Sequence, residues 1–193
     1  GLSEDALIRA HDCLERFGQR LAAIPRQRVR AIATNTVRQL RQPHNFLIPA
    51  EAALGHDIEV VSGREEARLI YLGVAHGNPP HEKRRLVIDI GGGSTEFIIG
   101  AGFEAIERES LQMGCIATTR RFFADGKLSR KRWKEAKTEI TAEFQQFGST
   151  YRKLGWQEVF GSSGTIKAIG EVAAAMKLTR GSITDSALAT IRD

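Results

Sequence analysis

The residues that are best suited to binding or catalysis surround the end of a short apolar run. That run, 86–90, carries Asp89 next to its end, and three glycines and two hydroxyls follow it directly: Gly91, Gly92, Gly93, Ser94 and Thr95. Glycines let the backbone adopt positive φ and let a ligand approach without interference from Cβ atoms. Consecutive N–H groups in such a turn form a concave anion site. With a carboxylate at its mouth, the loop predicts a cradle for phosphate and a metal ion.

The residues after the glycines exclude two common nucleotide-binding loops. A P-loop requires GxxxxGK[ST] before a helix, and a dinucleotide loop requires GxGxxG before a helix. Here an apolar, β-rich run at 96–99 follows instead. The glycines are therefore predicted to turn a strand–loop–strand hairpin. The alternative interpretation is a hairpin that binds no ligand. It is less favoured because Asn-Gly-type turns form hairpins without three glycines.

A second glycine- and serine-rich segment, 161–164, is predicted between a short strand and a helix that starts at about residue 165. The unpaired N–H groups and the dipole of such a helix N-terminus favour anions. Ser163, Gly164 and Thr165 are therefore candidate phosphate ligands, with an ordinary strand–helix turn as the alternative. Lys167 lies three residues past Gly164, on the first turn of the predicted helix, and is a candidate for added positive charge, or else a surface lysine.

Candidates for a general base are Glu65 and Glu66, which start a predicted helix just after a strand. A carboxylate there can face a cleft and orient water. Ser62 and Glu65 fit a capping box, which gives Glu65 a structural use and leaves Glu66 for chemistry. Alternatively, both glutamates only stabilise the helix N-terminus.

Asp89 is the first candidate metal ligand, because Mg²⁺ favours one or two carboxylates together with waters and phosphate oxygens. Sites of open α/β sheets collect at the C-terminal ends of strands, where Asp89 is predicted to lie. Glu96 is either a second ligand or the first outward polar residue of the next strand. Arg38 is a candidate phosphate ligand because its guanidinium fork matches phosphate geometry, or else a surface cation.

Composition narrows the remaining chemistry. The 193 residues carry a formal net charge of +5, which suits a polyanionic partner. The basic run Arg130–Lys134 is interpreted first as the solvated start of a helix. Cys13 and Cys115 form no CxxC pair, so no disulfide framework is predicted and a reducing cytoplasm is the simplest location. No role is assigned to the histidines, whose spacing fits no metal site: His11, His44, His56, His76 and His81.

The elements that must position these residues alternate between helix and strand. Helices are predicted at 3–24, after 34, at 45–54, from 62, at 115–123, at 129–152, from 165 and after 184, and strands at 29–33, 57–61, 86–90, 96–100, 104–109 and 158–160. This alternation indicates an α/β fold. Ser3 and Thr184 are predicted to cap the first and the last helix. The helix at 129–152 carries a stripe that is predicted to pack in the core: Trp133, Ala136, Ile140, Phe144, Phe147 and Tyr151. The polar segment 76–85 contains two prolines and is predicted to be a linker. No apolar run reaches 18 residues and no signal-peptide pattern is found, so no membrane span is predicted.

The hairpin, Asp-Ile-Gly-Gly-Gly-Ser-Thr-Glu at 89–96, resembles the phosphate loop of the actin-like ATPase superfamily. Its sequence is most similar to that of the exopolyphosphatase/guanosine pentaphosphate phosphohydrolase (Ppx/GppA) family. Three further segments share that resemblance, at 33–39, 62–74 and 161–168. These motifs occur in the family order and span essentially the whole chain.

The resemblance implies an α/β, actin-like ATPase (ribonuclease H-like) fold with mixed sheets flanked by helices and two lobes. It assigns 1–75 to the rear part of the first domain, 76–85 to a hinge and 86–193 to the second domain. It also implies truncation at both ends, with a first phosphate loop missing before residue 1. The chain alone is then expected to be inactive or weakly active and to expose an unpaired sheet edge.

The resemblance implies a hydrolase that releases terminal orthophosphate from inorganic polyphosphate or guanosine pentaphosphate by in-line attack of water. Glu66 matches the catalytic glutamate, and phosphate-binding roles are implied for Arg38 and Lys167. The implied cofactor is Mg²⁺, with K⁺ as an activator, and the full-length protein is expected to be a homodimer.

Two other functions stay open. One is a kinase or chaperone-type ATPase of the same superfamily, against which the Glu-Glu-Ala-Arg segment at 65–68 argues. The other is a non-catalytic sensor of polyphosphate or nucleotides, which would not require Glu66 or Asp89. A specific nucleic-acid partner is not expected, because no recognised nucleic-acid motif is present.

Overall fold

Two compact units, 1–66 and 67–193, make up the chain in the computed structural model, which describes residues 2–79, 82–179 and 181–192. The division falls inside a helix, ahead of the segment 76–85 that the sequence predicts as a hinge. Pro80 and His81 of that segment lie outside the described residues. The assignment of 76–85 as a hinge stays a prediction.

The first unit combines a helical pair with a two-stranded sheet. Its elements are α1 (Glu4–Leu21), a 3-10 turn (Arg26–Arg28), β1 (Ala31–Ala33), α2 (Asn35–Arg38), α3 (His44–Leu54) and β2 (Ile58–Val60). Ser3 caps α1 as predicted, because its hydroxyl accepts the Ala6 N–H at 3.3 Å. α1 packs on α3 at Gly18, where a Cβ would lie 2.7 Å from the Leu54 carbonyl oxygen.

The two strands of the first unit pair in parallel, with Ala31 opposite Ile58. Within the described residues neither strand has another partner, and Ile32 and Val60 are 40% and 39% exposed. Parallel sheets are normally covered on both faces and contain more strands. The described residues therefore leave the edges of this sheet unpaired, while the missing strands that the resemblance implies stay a prediction.

The helix α4 (Gly63–His76) begins where the sequence predicts and runs across the division between the units. The Ser62 hydroxyl accepts the Glu65 N–H at 3.2 Å, which confirms the predicted N-cap. The cap fixes where the helix starts, and so it sets which glutamate lies at each position of the first turn.

A four-stranded mixed sheet forms the centre of the second unit. Its strands are β3 (Arg85–Ile90), β4 (Thr95–Ala101), β5 (Glu104–Leu111) and β6 (Glu158–Ser162), in the order β5-β4-β3-β6. The pairs β3–β4 and β4–β5 are antiparallel, which confirms the predicted hairpin, and β6 joins β3 in parallel. The last strand extends two residues beyond the prediction.

Both faces of this sheet are covered by helices. On one face Val87 and Ile98 pack against α4, where Tyr71 is fully buried. On the other face α6 (Arg130–Leu154) contributes the aromatic stripe that the sequence predicts as core: Phe144, Phe147 and Tyr151. The exception is Trp133, at the start of the same helix, which is 48% exposed.

Burial of Tyr71 gives the fold a testable response to alkaline pH. Burial raises the pKa of Tyr71 above its usual value of 10.0, and the positive charge of Arg85 opposes the shift. The neutral phenol is therefore favoured in the folded state, so its contribution to stability is complete below pH 10 and is lost as pH rises through the raised pKa. We expect the unfolding free energy to fall above pH 10 more steeply in the wild type than in Tyr71→Phe, measured by denaturant titration. Equal slopes would contradict this.

Three further helices complete the second unit. They are α5 (Cys115–Phe122), α7 (Ser163–Ala175) and α8 (Asp185–Arg192). α7 begins two residues earlier than predicted, and Thr184 caps α8 as predicted by accepting the Ala187 N–H at 3.2 Å. Both cysteines are free and exposed. Among the described residues, no helix combines the length and apolarity needed to cross a membrane.

Candidate functional site

The loop between β3 and β4 presents unused backbone donors. Its base is closed by the Gly91 N–H, which donates to the Ser94 carbonyl at 3.0 Å. Within the described part of the chain, the N–H groups of Gly92, Gly93 and Ser94 have no hydrogen-bond partner. Three consecutive free donors are what the predicted anion site requires, and phosphate binding there stays a prediction.

The loop is anchored by α5, the next helix along the chain. None of its three glycines uses the positive φ that glycine permits. The loop carbonyls instead accept hydrogen bonds from the start of α5: Cys115 N–H to Gly91 O at 2.9 Å, Ile116 N–H to Gly92 O at 2.9 Å and Gly114 N–H to Gly93 O at 3.0 Å. The first-turn donors of α5, which a helix otherwise leaves unpaired, therefore anchor the loop.

Gly114 makes this anchoring possible, and sequence reasoning missed it. A Cβ at Gly114 would lie 2.5 Å from the Gly92 carbonyl oxygen and closer still to the Gly92–Gly93 peptide. Each loop carbonyl that accepts a bond polarises its peptide, which strengthens the N–H on the far side as a donor. The only sequence signal for this contact is a glycine directly before a predicted helix.

The hydroxyls of the loop are both buried, Ser94 at 4% exposure and Thr95 at 6%. Thr95 Oγ1 donates its proton to the Met113 carbonyl at 2.8 Å, so it holds the segment before α5 in place. In this conformation the Thr95 proton is not available to a phosphate. The role of Thr95 as a phosphate ligand stays a prediction.

A polar row crosses the sheet beside the loop. The strand register places Asp89 opposite Glu96 on one side and Ser162 on the other, and Glu96 opposite Ser110. The Ser110 hydroxyl donates to Glu96 Oε1 at 2.7 Å. Both candidate carboxylates therefore project from the same face of the sheet, Asp89 at 9% exposure and Glu96 at 1%.

Two neighbouring, little-exposed carboxylates fit a divalent cation. Like charges this close are costly away from water unless a cation or proton compensates them. The described residues contain no cluster of three or more His, Cys, Asp or Glu side chains that would hold a metal unaided. Mg²⁺ needs no such cluster, since it takes one or two carboxylates and completes its shell with waters and phosphate oxygens.

The second glycine-rich segment lies next to the same strand end. Ser162 lies opposite Asp89 and precedes α7. Its side chain makes no capping hydrogen bond to the first-turn N–H groups of α7. Ser163 has φ +74°, an uncommon conformation for a residue with a side chain. Such strain is found where the surrounding structure imposes it, often at functional sites. A Cβ at Gly164 would meet open space, so that glycine is not needed for packing.

Lys167 is less closely tied to the site than its neighbours in sequence. It is the fifth residue of α7, not part of the first turn as the sequence suggests, because the helix begins at Ser163. Its side chain is 78% exposed, and its Nζ lies 3.9 Å from Glu171 Oε1. A phosphate-binding role for Lys167 stays a prediction.

In the first unit, Glu66 is held by an arginine. Arg38 Nη1 donates to Glu66 Oε2 at 2.8 Å and to the Val61 carbonyl at 2.8 Å. The two side chains are 17% and 15% exposed. Arg38 Nη2 is buried and has no hydrogen-bond partner among the described residues. Arg38 therefore positions Glu66 through Nη1, while its Nη2 group remains able to donate to a ligand.

The neighbouring glutamate has a different environment. Glu65 Oε1 lies 3.8 Å from Arg30, whose guanidinium binds Glu59 at 2.7 Å. The Glu65 side chain is also more exposed, at 28%. The two adjacent carboxylates therefore differ in their surroundings. Glu66 is bound by the little-exposed guanidinium of Arg38, whereas Glu65 lies beside the half-exposed guanidinium of Arg30.

The sequence profile of the Ppx/GppA phosphatase family matches residues 1–192. The chain belongs to the Ppx/GppA phosphatase family. The resemblance in the glycine loop and the segments at 33–39, 62–74 and 161–168 is thereby confirmed.

The curated relatives include a protein named as an exopolyphosphatase and others named as guanosine-5'-triphosphate,3'-diphosphate pyrophosphatases. A Haemophilus influenzae protein that carries the provisional name exopolyphosphatase is 41% identical over 183 residues, which cover 95% of this chain and 56% of the relative. The guanosine-5'-triphosphate,3'-diphosphate pyrophosphatase of Vibrio vulnificus is 44% identical over 171 residues, 89% of this chain and 34% of the relative. The chain thus spans about half or less of the length of these relatives.

Solved Ppx/GppA structures share the fold. An exopolyphosphatase from Cytophaga hutchinsonii superposes with a TM-score of 0.80 at 26% identity, covering 94% of this chain and 58% of that one. The Aquifex aeolicus enzyme superposes with a TM-score of 0.71 at 26% identity, covering 90% of this chain and 56% of that one. The predicted α/β fold with mixed sheets flanked by helices is therefore confirmed.

Proposed function

We propose that the protein containing this chain hydrolyses a terminal phosphoanhydride and releases orthophosphate from inorganic polyphosphate or guanosine pentaphosphate. The observation that carries the proposal is the loop with three free N–H groups at Gly92, Gly93 and Ser94, beside the paired carboxylates Asp89 and Glu96. The names of the relatives support both substrates. The two substrates present the same terminal group, so one site can serve both.

Each requirement of the reaction has a candidate in this chain. Phosphoryl transfer to water needs a held phosphate, compensated charge, an oriented water and a proton acceptor. The loop donors and the α7 N-terminus, with Ser163, Gly164 and Thr165, would bind phosphate oxygens. Mg²⁺ near Asp89 and Glu96 would supply charge compensation. Glu66 would orient the attacking water and accept its proton.

The family relationship supports the remaining assignments. We propose Mg²⁺ as the cofactor and K⁺ as an activator, a homodimeric full-length protein and a cytoplasmic location. Arg38 would combine two functions, because Nη1 positions Glu66 and Nη2 is left to donate to a phosphate oxygen.

Replacing Arg38 with lysine in the full-length protein is expected to lower kcat for orthophosphate release by about 10-fold to 100-fold, with a smaller change in KM. Lysine keeps the charge but cannot donate from one rigid fork to both Glu66 and Val61. The matched control is Arg30→Lys, which alters the pair with exposed Glu59 and should leave kcat within about twofold. A rise in KM at unchanged kcat would show that Arg38 only binds phosphate.

Orthophosphate release from inorganic polyphosphate, guanosine pentaphosphate and ATP by the full-length protein tests the proposal. Release from either of the first two at a higher kcat/KM than from ATP supports it. Faster turnover of ATP, with transfer of its phosphate to an acceptor, would favour the kinase or ATPase alternative.

A further inference from the structure

The positive charge of the chain is concentrated in the segment 115–139, which we call the α5–α6 corner. It comprises α5, the connecting loop and the first turns of α6. The corner contains eight Arg and Lys residues against three Asp and Glu, a net charge of +5 that equals the net charge of the whole chain. The other residues together are neutral, so the basic character belongs to one region.

The start of α6 carries cations where a helix disfavours them. Arg130, Lys131, Arg132 and Lys134 lie in its first turns, and no acidic residue lies in the first turn. The helix dipole and the unpaired N–H groups favour negative charge at this end. Helix stability therefore does not explain the pattern, whereas an anionic ligand would benefit from both the side chains and the dipole.

Only part of this charge is compensated within the chain. Arg132 pairs with Asp125, and Lys131 Nζ lies 3.9 Å from Glu135. Arg130 and Lys134 have no acidic partner among the described residues. These two side chains are four residues apart, on one face of the helix, so they present a pair of free cations.

A cavity adjoins Arg130. It has a volume of about 590 Å³ and is lined by Leu128, Ser129, Arg130, Trp133 and, from α8, Arg192. Two guanidinium groups thus border one space. Leu128 and Trp133 are 76% and 48% exposed, so both present apolar surface to solvent. The corner therefore combines free charge with a concave, partly apolar surface.

The corner is connected to the phosphate loop by a single helix. α5 starts on the loop, where the Cys115 N–H binds Gly91 O at 2.9 Å. Its eight residues span about 12 Å. Just beyond its end, the Phe123 ring lies 6.1 Å from that of Trp133. A linear polyanion held at one end by the loop would therefore reach the corner by following α5.

We propose that the α5–α6 corner is a second binding surface for inorganic polyphosphate and holds phosphates remote from the chain end that occupies the loop. This goes beyond the proposed hydrolysis and rests on it only for the choice of polyanion. Inorganic polyphosphate fits better than single-stranded RNA, because RNA-binding grooves stack successive bases on several aromatic rings. Trp133 is the one half-exposed ring that lines this cavity.

The binding test uses the 193-residue chain and sodium polyphosphate of defined length. Trp133 and Trp156 are the only tryptophans, so a Trp156→Phe background makes Trp133 fluorescence a reporter of the corner. In that background, Arg130→Gln/Lys134→Gln is expected to weaken polyphosphate binding about tenfold at low salt and to reduce its salt dependence. The matched control is Arg16→Gln/Arg20→Gln on α1, which removes the same charge at the same spacing and should leave the affinity unchanged.

Equal weakening by both double variants would overturn the proposal, since it would show attraction to net charge alone. No weakening by either would also overturn it. The same holds if single-stranded RNA binds more tightly and polyphosphate does not displace it. Thermal unfolding of each variant shows whether a lost affinity reflects a lost fold. Arg130 and Lys134 are exposed, so no such loss is expected.

A kinetic comparison separates this proposal from the proposed hydrolysis. In the full-length protein, Arg130→Gln/Lys134→Gln should raise KM for long polyphosphate several-fold more than KM for guanosine pentaphosphate, because the shorter substrate has far fewer phosphates to place on the corner. An unchanged KM for long polyphosphate, in an active enzyme, would overturn the second surface and leave the hydrolysis standing. A full-length protein that binds polyphosphate at the corner without releasing orthophosphate would overturn the proposed hydrolysis and leave the second surface standing.

Discussion

Replacing Glu66 with glutamine in the full-length protein is expected to lower the rate of orthophosphate release by about 10²–10⁴-fold, the range for loss of a general base. Glutamine keeps the size of the side chain and still offers an oxygen to Arg38, which binds Glu66 at 2.8 Å. It cannot accept the proton of the attacking water. Stability should therefore change by only about 1 kcal/mol, the cost of replacing a charged hydrogen bond with a neutral one.

The control for Glu66 is its neighbour in the same helical turn. Glu65→Gln removes the same charge at the same helix N-terminus, but its partner is half-exposed Arg30 at 3.8 Å. Orthophosphate release should stay within about twofold of the wild type, since exposed ion pairs contribute little. Loss of activity in Glu65→Gln with activity retained in Glu66→Gln would reverse the assignment. Equal small losses in both would return these residues to a purely structural role.

The second large effect is expected for Gly114→Ala. The added Cβ would lie 2.5 Å from the Gly92 carbonyl oxygen, and this neighbour is backbone that cannot rotate away. Gly114 has φ −76° and ψ 168°, which alanine adopts freely, so the effect is steric. We expect a loss of about 1–3 kcal/mol of stability from overpacking, measured by denaturant titration, and a loss of phosphate affinity because the loop must move.

Gly73→Ala is the matched control in the same unit. Gly73 lies inside α4, and a Cβ there would meet open space. Alanine should therefore stabilise the chain by up to about 1 kcal/mol, through its higher helix propensity. If Gly114→Ala is as stable as the wild type and binds phosphate as tightly, the loop does not depend on its contact with α5.

Local sequence signals predicted the elements well because those signals act over a few residues. Ser3, Ser62 and Thr184 cap helices where predicted, and the glycine loop turns the predicted hairpin between β3 and β4. Element ends were less accurate where no cap was recognised. α7 starts at Ser163, ahead of the prediction, because a left-handed serine rather than a capping side chain begins it.

The candidate site was predicted in its parts but not in its assembly. The sequence indicated Asp89, Glu96 and Glu66 as chemical groups, whereas their partners depend on contacts between distant segments. Ser110 reaches Glu96 only because of the register between β4 and β5. Arg38 meets Glu66 across 28 residues of sequence. No periodicity or motif encodes such pairs, because they follow from how the elements pack.

The role of the loop glycines shows the same limit. Three glycines permit left-handed backbone, yet the loop uses none. A contact that limits side-chain size there comes from α5, more than twenty residues further along the chain, because a Cβ at Gly92 would lie 3.2 Å from the Ile116 side chain. The chemical interpretation of the loop as a set of free N–H donors is unaffected, since it depends on unpaired donors and not on the sign of φ.

The measurement that tests the central claim most directly is orthophosphate release by the full-length protein with Mg²⁺ in ¹⁸O-enriched water, from inorganic polyphosphate and from guanosine pentaphosphate. In-line attack of water on the terminal phosphorus predicts one ¹⁸O atom in each orthophosphate released, and Glu66→Gln should slow the release by about 10²–10⁴-fold. Failure to release orthophosphate from either substrate, by a folded protein that still binds both, would contradict the account and favour a polyanion sensor.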